Sequence, residues 1–183
     1  MKKFALICSG YGRGIINLIK NKDLLKIKIE LVIVPKDSKD LIKIAIKNNV
    51  KYELIDNKKT LSEKNKHVLY LMRKYKIDYL FLNGCDFKIK ETILERYKNK
   101  VINIHPSLLP SFKGTASAIQ QAMEYGVVYS GITIHYAEKE FDSGKIISQV
   151  PIKIKNLSFQ EIDNLFVKEG LKLSINTLNE LSK

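Results

Sequence analysis

Phe4-Ala5-Leu6-Ile7-Cys8-Ser9-Gly10-Tyr11-Gly12-Arg13-Gly14-Ile15-Ile16-Asn17-Leu18-Ile19 runs from an unbroken apolar stretch, through a glycine-rich turn, into apolar residues at helical spacing. Phe4 to Cys8 has no polar alternation, the pattern of a strand covered on both faces, as in parallel sheets. Ile15, Leu18 and Ile19 recur at intervals of three and four, one side of a helix. The same unit repeats along the chain. Strands are expected over Ile27 to Val34, Tyr52 to Ile55, Asp78 to Leu82 and Val101 to Ile104. Between them lie helical patterns over Leu41 to Asn48, Thr60 to Tyr75 and Ile89 to Tyr97. Thr60 with Glu63 has capping-box spacing, which marks a helix start. Strand and helix alternating in this way argue for an α/β, Rossmann-like, mostly parallel twisted sheet with helices on both faces.

After Gly114 the pattern changes. Thr115 to Tyr125 reads as a helix stopped by Gly126, and Ser158 to Leu181 as a long one with Glu161 three residues after its cap. Between them, Gly131 to Tyr136 and Lys145 to Ile154 are strands joined by the loop Ala137 to Gly144. That connection is too short for a crossover and predicts an antiparallel pair near the C-terminus.

A length of 183 residues is expected to form one domain, residues 1–183, large enough to bury a core without metal or disulfide support. No apolar run approaches the ~20 residues of a membrane span. Gly10 and Arg13 interrupt the first apolar stretch too early for a secretory signal, so the expected location is cytoplasmic. Cys8 and Cys85 lack CxxC partners and read as reduced, partly buried thiols. The net charge of +13 is spread along the chain rather than gathered in one segment. It is read as a solvated basic surface that helps to steer anionic substrates, with no nucleic-acid partner expected.

Three segments carry chemistry. In the turn Gly10-Tyr11-Gly12-Arg13-Gly14 the glycines let backbone N–H groups approach an anion at a helix N-terminus, or simply make a tight turn. A dinucleotide fingerprint would need G-x-G-x-x-G and an acid closing the second strand. This turn is G-x-G-x-G, and that strand ends Val34-Pro35-Lys36, so a nicotinamide cofactor is disfavoured. The second segment, Asn103-Ile104-His105-Pro106-Ser107-Leu108-Leu109-Pro110, ends a buried strand, with Asn103 and His105 on one side of it. The third, Phe141-Asp142-Ser143-Gly144, puts an acid in the loop after His135. An aspartate there also suits a plain turn. Asn103, His105 and Asp142 can nevertheless converge.

Asn103 to Pro110, Phe112-Lys113-Gly114, Gly131 to His135 and Asp142-Ser143-Gly144 together resemble the folate-dependent formyltransferases, and the likeness extends over nearly the whole chain. It implies the formyltransferase fold and, as co-substrate, 10-formyltetrahydrofolate with no metal. The acceptor implied is the primary amine of glycinamide ribonucleotide, in purine biosynthesis. Asn103, His105 and Asp142 are then catalytic, with Ser107 and His135 supporting. The implied phosphate site is Gly10, Tyr11, Gly12, Arg13 and Gly14, and Glu169 is the implied ribose ligand. Cys85, Asp86, Phe87, Lys88 and Ile89, with Ala137, Glu138, Lys139 and Glu140, flank the folate. The expected partners are small anionic substrates, no membrane is involved, and the chain is a monomer or homodimer.

Two stretches depart from the family pattern. The first turn usually reads Gly-Asn-Gly-Ser-Asn, and an arginine usual in the folate segment is here Phe87. Both departures lie at the acceptor side. They leave open a second acceptor, an amino group on a nucleotide-linked sugar. A non-catalytic nucleotide- or nucleic-acid-binding domain is the third reading, against which the complete Asn103, His105 and Asp142 set stands.

Overall fold

The computed structural model describes residues Met1–Lys183. Seven strands form one sheet in the order β3-β2-β1-β4-β5-β6-β7. In chain order these are β1 (Lys3–Ile7), β2 (Lys28–Pro35), β3 (Lys51–Ile55), β4 (Tyr79–Asn83), β5 (Val101–His105), β6 (Tyr129–Tyr136) and β7 (Ile146–Lys153). The helices are α1 (Arg13–Lys20), α2 (Lys39–Lys47), α3 (Leu61–Lys74), α4 (Glu91–Arg96), α5 (Ala118–Tyr125) and α6 (Phe159–Glu180). The first five strands are parallel, while β6 runs antiparallel to both β5 and β7. The expected mostly parallel sheet with an antiparallel C-terminal pair is what forms.

The unbroken apolar strands lie at the centre, where helices cover both faces. Along β1, Phe4 and Leu6 pack with α1, α2 and the end of α6, whereas Ala5 and Ile7 pack with α3 and α4. A period of two thus feeds two separate apolar layers from one strand. Burying a large apolar side chain contributes roughly 1.5–3 kcal/mol, and β1 buries three of them completely, Phe4, Leu6 and Ile7. A third apolar cluster, built from β6, β7, α5 and α6, closes the far end of the sheet. Thr60 and Ser158 each form the full reciprocal capping box that their spacing predicts.

Most element boundaries shift by one to three residues from the sequence expectation, and three of the shifts have a clear local cause. Helix α5 begins at Ala118, not Thr115, because Thr115 Oγ1 accepts from the Ser117 N–H at 3.1 Å and competes with helical bonding. Helix α4 begins at Glu91, not Ile89. The segment before it is pinned extended by Asn65, whose amide donates to the Lys88 carbonyl and accepts from the Lys90 N–H. Strand β5 continues one residue further, to His105, because His105 pairs with Thr133 on β6.

The strand order reverses between β1 and β4, and the carboxyl ends of these two strands and of β5 open onto one cleft. That is where an open α/β sheet exposes a crevice between loops leaving in opposite directions.

Candidate active site

The cleft has a volume of about 700 Å³, within the roughly 300–1,000 Å³ of small-molecule sites. The glycine turn after β1 forms one wall and the segment after β4 another. The end of β5, the loop between β6 and β7, and one side of α6 complete it.

At its floor, four side chains meet. Asn103 and His105 project from β5, separated by one residue, and His135 pairs with Asn103 across the β5–β6 ladder. Asp142 comes from the β6–β7 loop with a positive φ of 53°, a left-handed conformation that aspartate adopts more readily than most residues. Its side chain is 8% exposed. One carboxylate oxygen, Oδ2, lies 3.3 Å from His105 Nδ1 and accepts from the Gly114 N–H at 2.8 Å. The other, Oδ1, accepts from Asn103 Nδ2 at 3.2 Å and lies 3.4 Å from His135 Nε2. Asp142 is therefore the hub. Burial alone would lift its pKa, but His135, the Gly114 N–H and His105 outweigh burial and hold it below its ordinary 3.8.

The ring of His135 is oriented from behind. Its Nδ1 donates to the Tyr136 carbonyl at 2.8 Å, and its Nε2 lies 3.1 Å from Asn103 Nδ2 and 3.4 Å from Asp142 Oδ1. Both nitrogens of His105 face acceptors. Nδ1 faces Asp142, and Nε2 lies 3.0 Å from the Phe112 carbonyl. A second proton on this ring would satisfy both contacts. Burial opposes that charge and holds the pKa below 6.5, against the raising pull of Asp142 and the Phe112 carbonyl. His105 is a buried neutral imidazole with an acceptor already placed for its next proton.

Most of the site residues expected from sequence line this cleft. Gly10, Tyr11, Gly12, Arg13 and Gly14 do so, as do Cys85, Asp86, Phe87, Lys88 and Ile89, and Ala137, Glu138 and Glu140. Burial pushes the Cys85 thiol up to about 11, so it is not a thiolate at neutral pH. Lys139 does not line the cleft: its ammonium turns away to Glu91, 2.8 Å distant. Ser107 is fully buried beneath the cleft, where its hydroxyl donates to the Ser111 carbonyl and its own carbonyl accepts from Thr133. It supports the loop and does not enter the cavity.

Glu169, the implied ribose ligand, does not line the cleft. The side of α6 that borders the cleft carries Asp163, Phe166, Val167, Gly170, Leu171 and Ser174, the three-and-four spacing of one helical stripe. Glu169 falls off that stripe, and its carboxylate is held by Lys172 at 2.8 Å. The acid that does face the cleft is Asp163, which the sequence reading missed although the stripe pointed to it. Asp163 receives the two terminal nitrogens of Arg13, at 2.6 and 2.9 Å. That contact holds the Asp163 carboxyl below its ordinary pKa and raises that of Arg13. The Phe112 carbonyl and the Gly114 N–H were also beyond sequence reading, since no side-chain type announces them.

The loop bearing Asp142 has little room. A Cβ on Gly144 would run into the Tyr136 carbonyl oxygen. Gly144→Ala is expected to cost ~2–3 kcal/mol and lower the melting temperature by ~5–10 °C. It should lower turnover as well, since Asp142 is two residues away. A melt matching wild type would mean the loop is not clamped there.

The formyl transferase family pattern matches residues 2–176. Phosphoribosylglycinamide formyltransferase of Bacillus subtilis (strain 168) is 33% identical over 162 residues, covering 84% of this chain and 80% of that protein. The trifunctional purine biosynthetic protein adenosine-3 of Gallus gallus is 32% identical over 158 residues, 83% of this chain but 16% of that longer protein. The crystal structure of phosphoribosylglycinamide formyltransferase from Bacillus halodurans superposes with a TM-score of 0.91 at 27% identity, covering 98% of this chain and 95% of that one. With a sequence pattern and a fold that agree over almost its whole length, the chain belongs to the formyl transferase family.

Proposed function

We propose that this chain transfers the formyl group of 10-formyltetrahydrofolate to the primary amine of phosphoribosylglycinamide, with Asn103, His105 and Asp142 carrying the step. The observation that supports this most is the convergence of Asn103, His105 and His135 on the buried Asp142 carboxylate at the cleft floor. The acceptor is suggested by the names of the Bacillus relatives. The folate also fits. Leu82, Phe87, Ile89 and Ala137 give an apolar wall beside Asp142, the surface a flat heterocycle needs. No helix is long and apolar enough to cross a membrane.

In the transfer, the acceptor nitrogen bonds to the formyl carbon and the bond from that carbon to N10 breaks. The proton lost by the amine is balanced by the one gained at N10. Negative charge builds on the formyl oxygen between these events. His105 donates to that oxygen once it carries its second proton, and Asp142 stabilises the resulting imidazolium. An oxyanion at Nε2 shares or displaces the Phe112 carbonyl now there. Asn103 lends one of the N–H groups that now face His135 and Asp142. Each donor of this kind is worth about 3–4 kcal/mol in the transition state.

A second reading keeps the chemistry and changes the acceptor to an amino group on a nucleotide-linked sugar. It draws on the acceptor side of the cleft, where Arg13 is already committed to Asp163 and Glu169 faces away. Tyr11, 84% exposed at the rim, offers a ring on which a base can stack. One assay separates the two. Purified protein is incubated with 10-formyltetrahydrofolate and either phosphoribosylglycinamide or amino-sugar nucleotides, following release of tetrahydrofolate. Turnover with the ribonucleotide is the expected outcome, and its absence beside turnover with an amino sugar would reverse the order of the readings.

A further inference from the structure

We propose that Asp163 is a specificity-determining residue, an internal carboxylate that holds the Arg13 fork and that an anionic acceptor must displace. The inference rests on the reading that the acceptor's phosphate docks at the Gly10–Gly14 turn.

The cleft of this strongly basic protein is itself acidic. Its lining carries five carboxylates, Asp86, Glu138, Glu140, Asp142 and Asp163, and two permanent cations, Arg13 and Lys88. Lys88 lies on the folate side, 3.8 Å from Glu140. Arg13 is therefore the one cation on the glycine turn, and both its terminal nitrogens donate to Asp163. Asp163 takes the end-on Nη1/Nη2 fork of the guanidinium, one of the edges suited to bidentate recognition of a carboxylate or a phosphate. Two anions cannot occupy that fork together, and each would also repel the other.

The pair is built to exchange. Asp163 is 14% exposed on a long, capped helix, whereas Arg13 is 63% exposed and is fixed by nothing but this fork. Exposed pairs of this kind are weakly held, so a dianion carrying more charge than a carboxylate can win the guanidinium. Asp163 then sets the threshold: acceptors with a phosphate at the right reach open the pair, and weaker anions leave it closed. The same carboxylate keeps Arg13 from swinging into water when the cleft is empty.

The test compares wild type with Asp163→Asn and Asp163→Ser, two variants so that one poor folder does not decide the matter. Binding of ribose 5-phosphate is titrated calorimetrically, and KM is measured for phosphoribosylglycinamide and for 10-formyltetrahydrofolate. Removing the carboxylate should tighten ribose 5-phosphate binding by about three- to fivefold, since the fork opens without competition. KM for the acceptor should fall with it while KM for the folate stays put. Adding Arg13→Met to Asp163→Asn should abolish the gain. Binding of ribose 5-phosphate that is unchanged or weaker in the folded variants overturns the proposal. If phosphoribosylglycinamide is turned over by no variant, the acceptor reading falls, and the ribose 5-phosphate titration still decides the role of Asp163.

Discussion

Replacing His105 with alanine is expected to lower kcat for formyl transfer at least about a hundredfold, because it removes the imidazole that meets the formyl oxygen. The ring is 4% exposed and contacts only Asp142 and the Phe112 carbonyl with its nitrogens. No neighbouring donor can take its place: His135 is on the far side of Asp142 with Nδ1 committed to Tyr136. The loss should appear at saturating concentrations of both substrates, since the interaction is worth most where charge has developed. Activity within a few-fold of wild type would remove His105 from the chemistry.

The same residue makes a prediction about pH. Because burial holds its folded pKa below 6.5, the unfolded chain binds more protons than the folded one in the window beneath 6.5. Stability contributed by the neutral ring is complete above that value and is lost as pH falls toward the folded pKa. Wild type should therefore melt progressively earlier as pH drops through this window. A His105→Gln variant should show a shallower slope, and equal slopes would mean that the ring stays neutral or charged in both states.

The parallel core was legible because its strands are continuously apolar, and β1 could scarcely be read otherwise. The antiparallel end was legible from a loop too short to cross the sheet. Asn103, His105 and Asp142 stood out because their types and order carry a family pattern, and all three reach the cleft floor. Residues placed by helical phase were less legible. Glu169 and Gly170 are neighbours in sequence, but a turn of about 100° per residue separates the cleft from Lys172. Glu169 came from the family resemblance, whereas Asp163 shows only in the phase of the α6 stripe. Backbone groups lay further out of reach, because the Phe112 carbonyl is aimed by a positive φ of 55° that its side chain does not foretell.

Asp142→Asn is expected to match or exceed the loss at His105, again at least about a hundredfold in kcat, for three reasons that act together. The first is charge: the carboxylate is the sole anion against either histidine, and without it burial of His105 is unopposed except by the Phe112 carbonyl. The second is hydrogen-bond polarity. The carboxylate accepts from the Gly114 N–H and the Asn103 amide on different oxygens. An asparagine has one acceptor and one donor, so whichever way it turns, an N–H group faces another N–H. A buried donor left without a partner costs about 1–3 kcal/mol, and the local response is to move the Gly114 backbone or the Asn103 amide. The third is the backbone, which discriminates between causes. Asparagine tolerates the left-handed conformation at this position as well as aspartate does, so the loop itself keeps its path and the protein should remain folded. A native circular dichroism spectrum and a melting temperature lowered by only ~2–10 °C, beside a collapsed kcat, would assign the loss to charge and hydrogen bonding. A variant that turns over normally would leave the Asp142 hub a structural device, and formyl transfer would have to run through Asn103 and His105 without it.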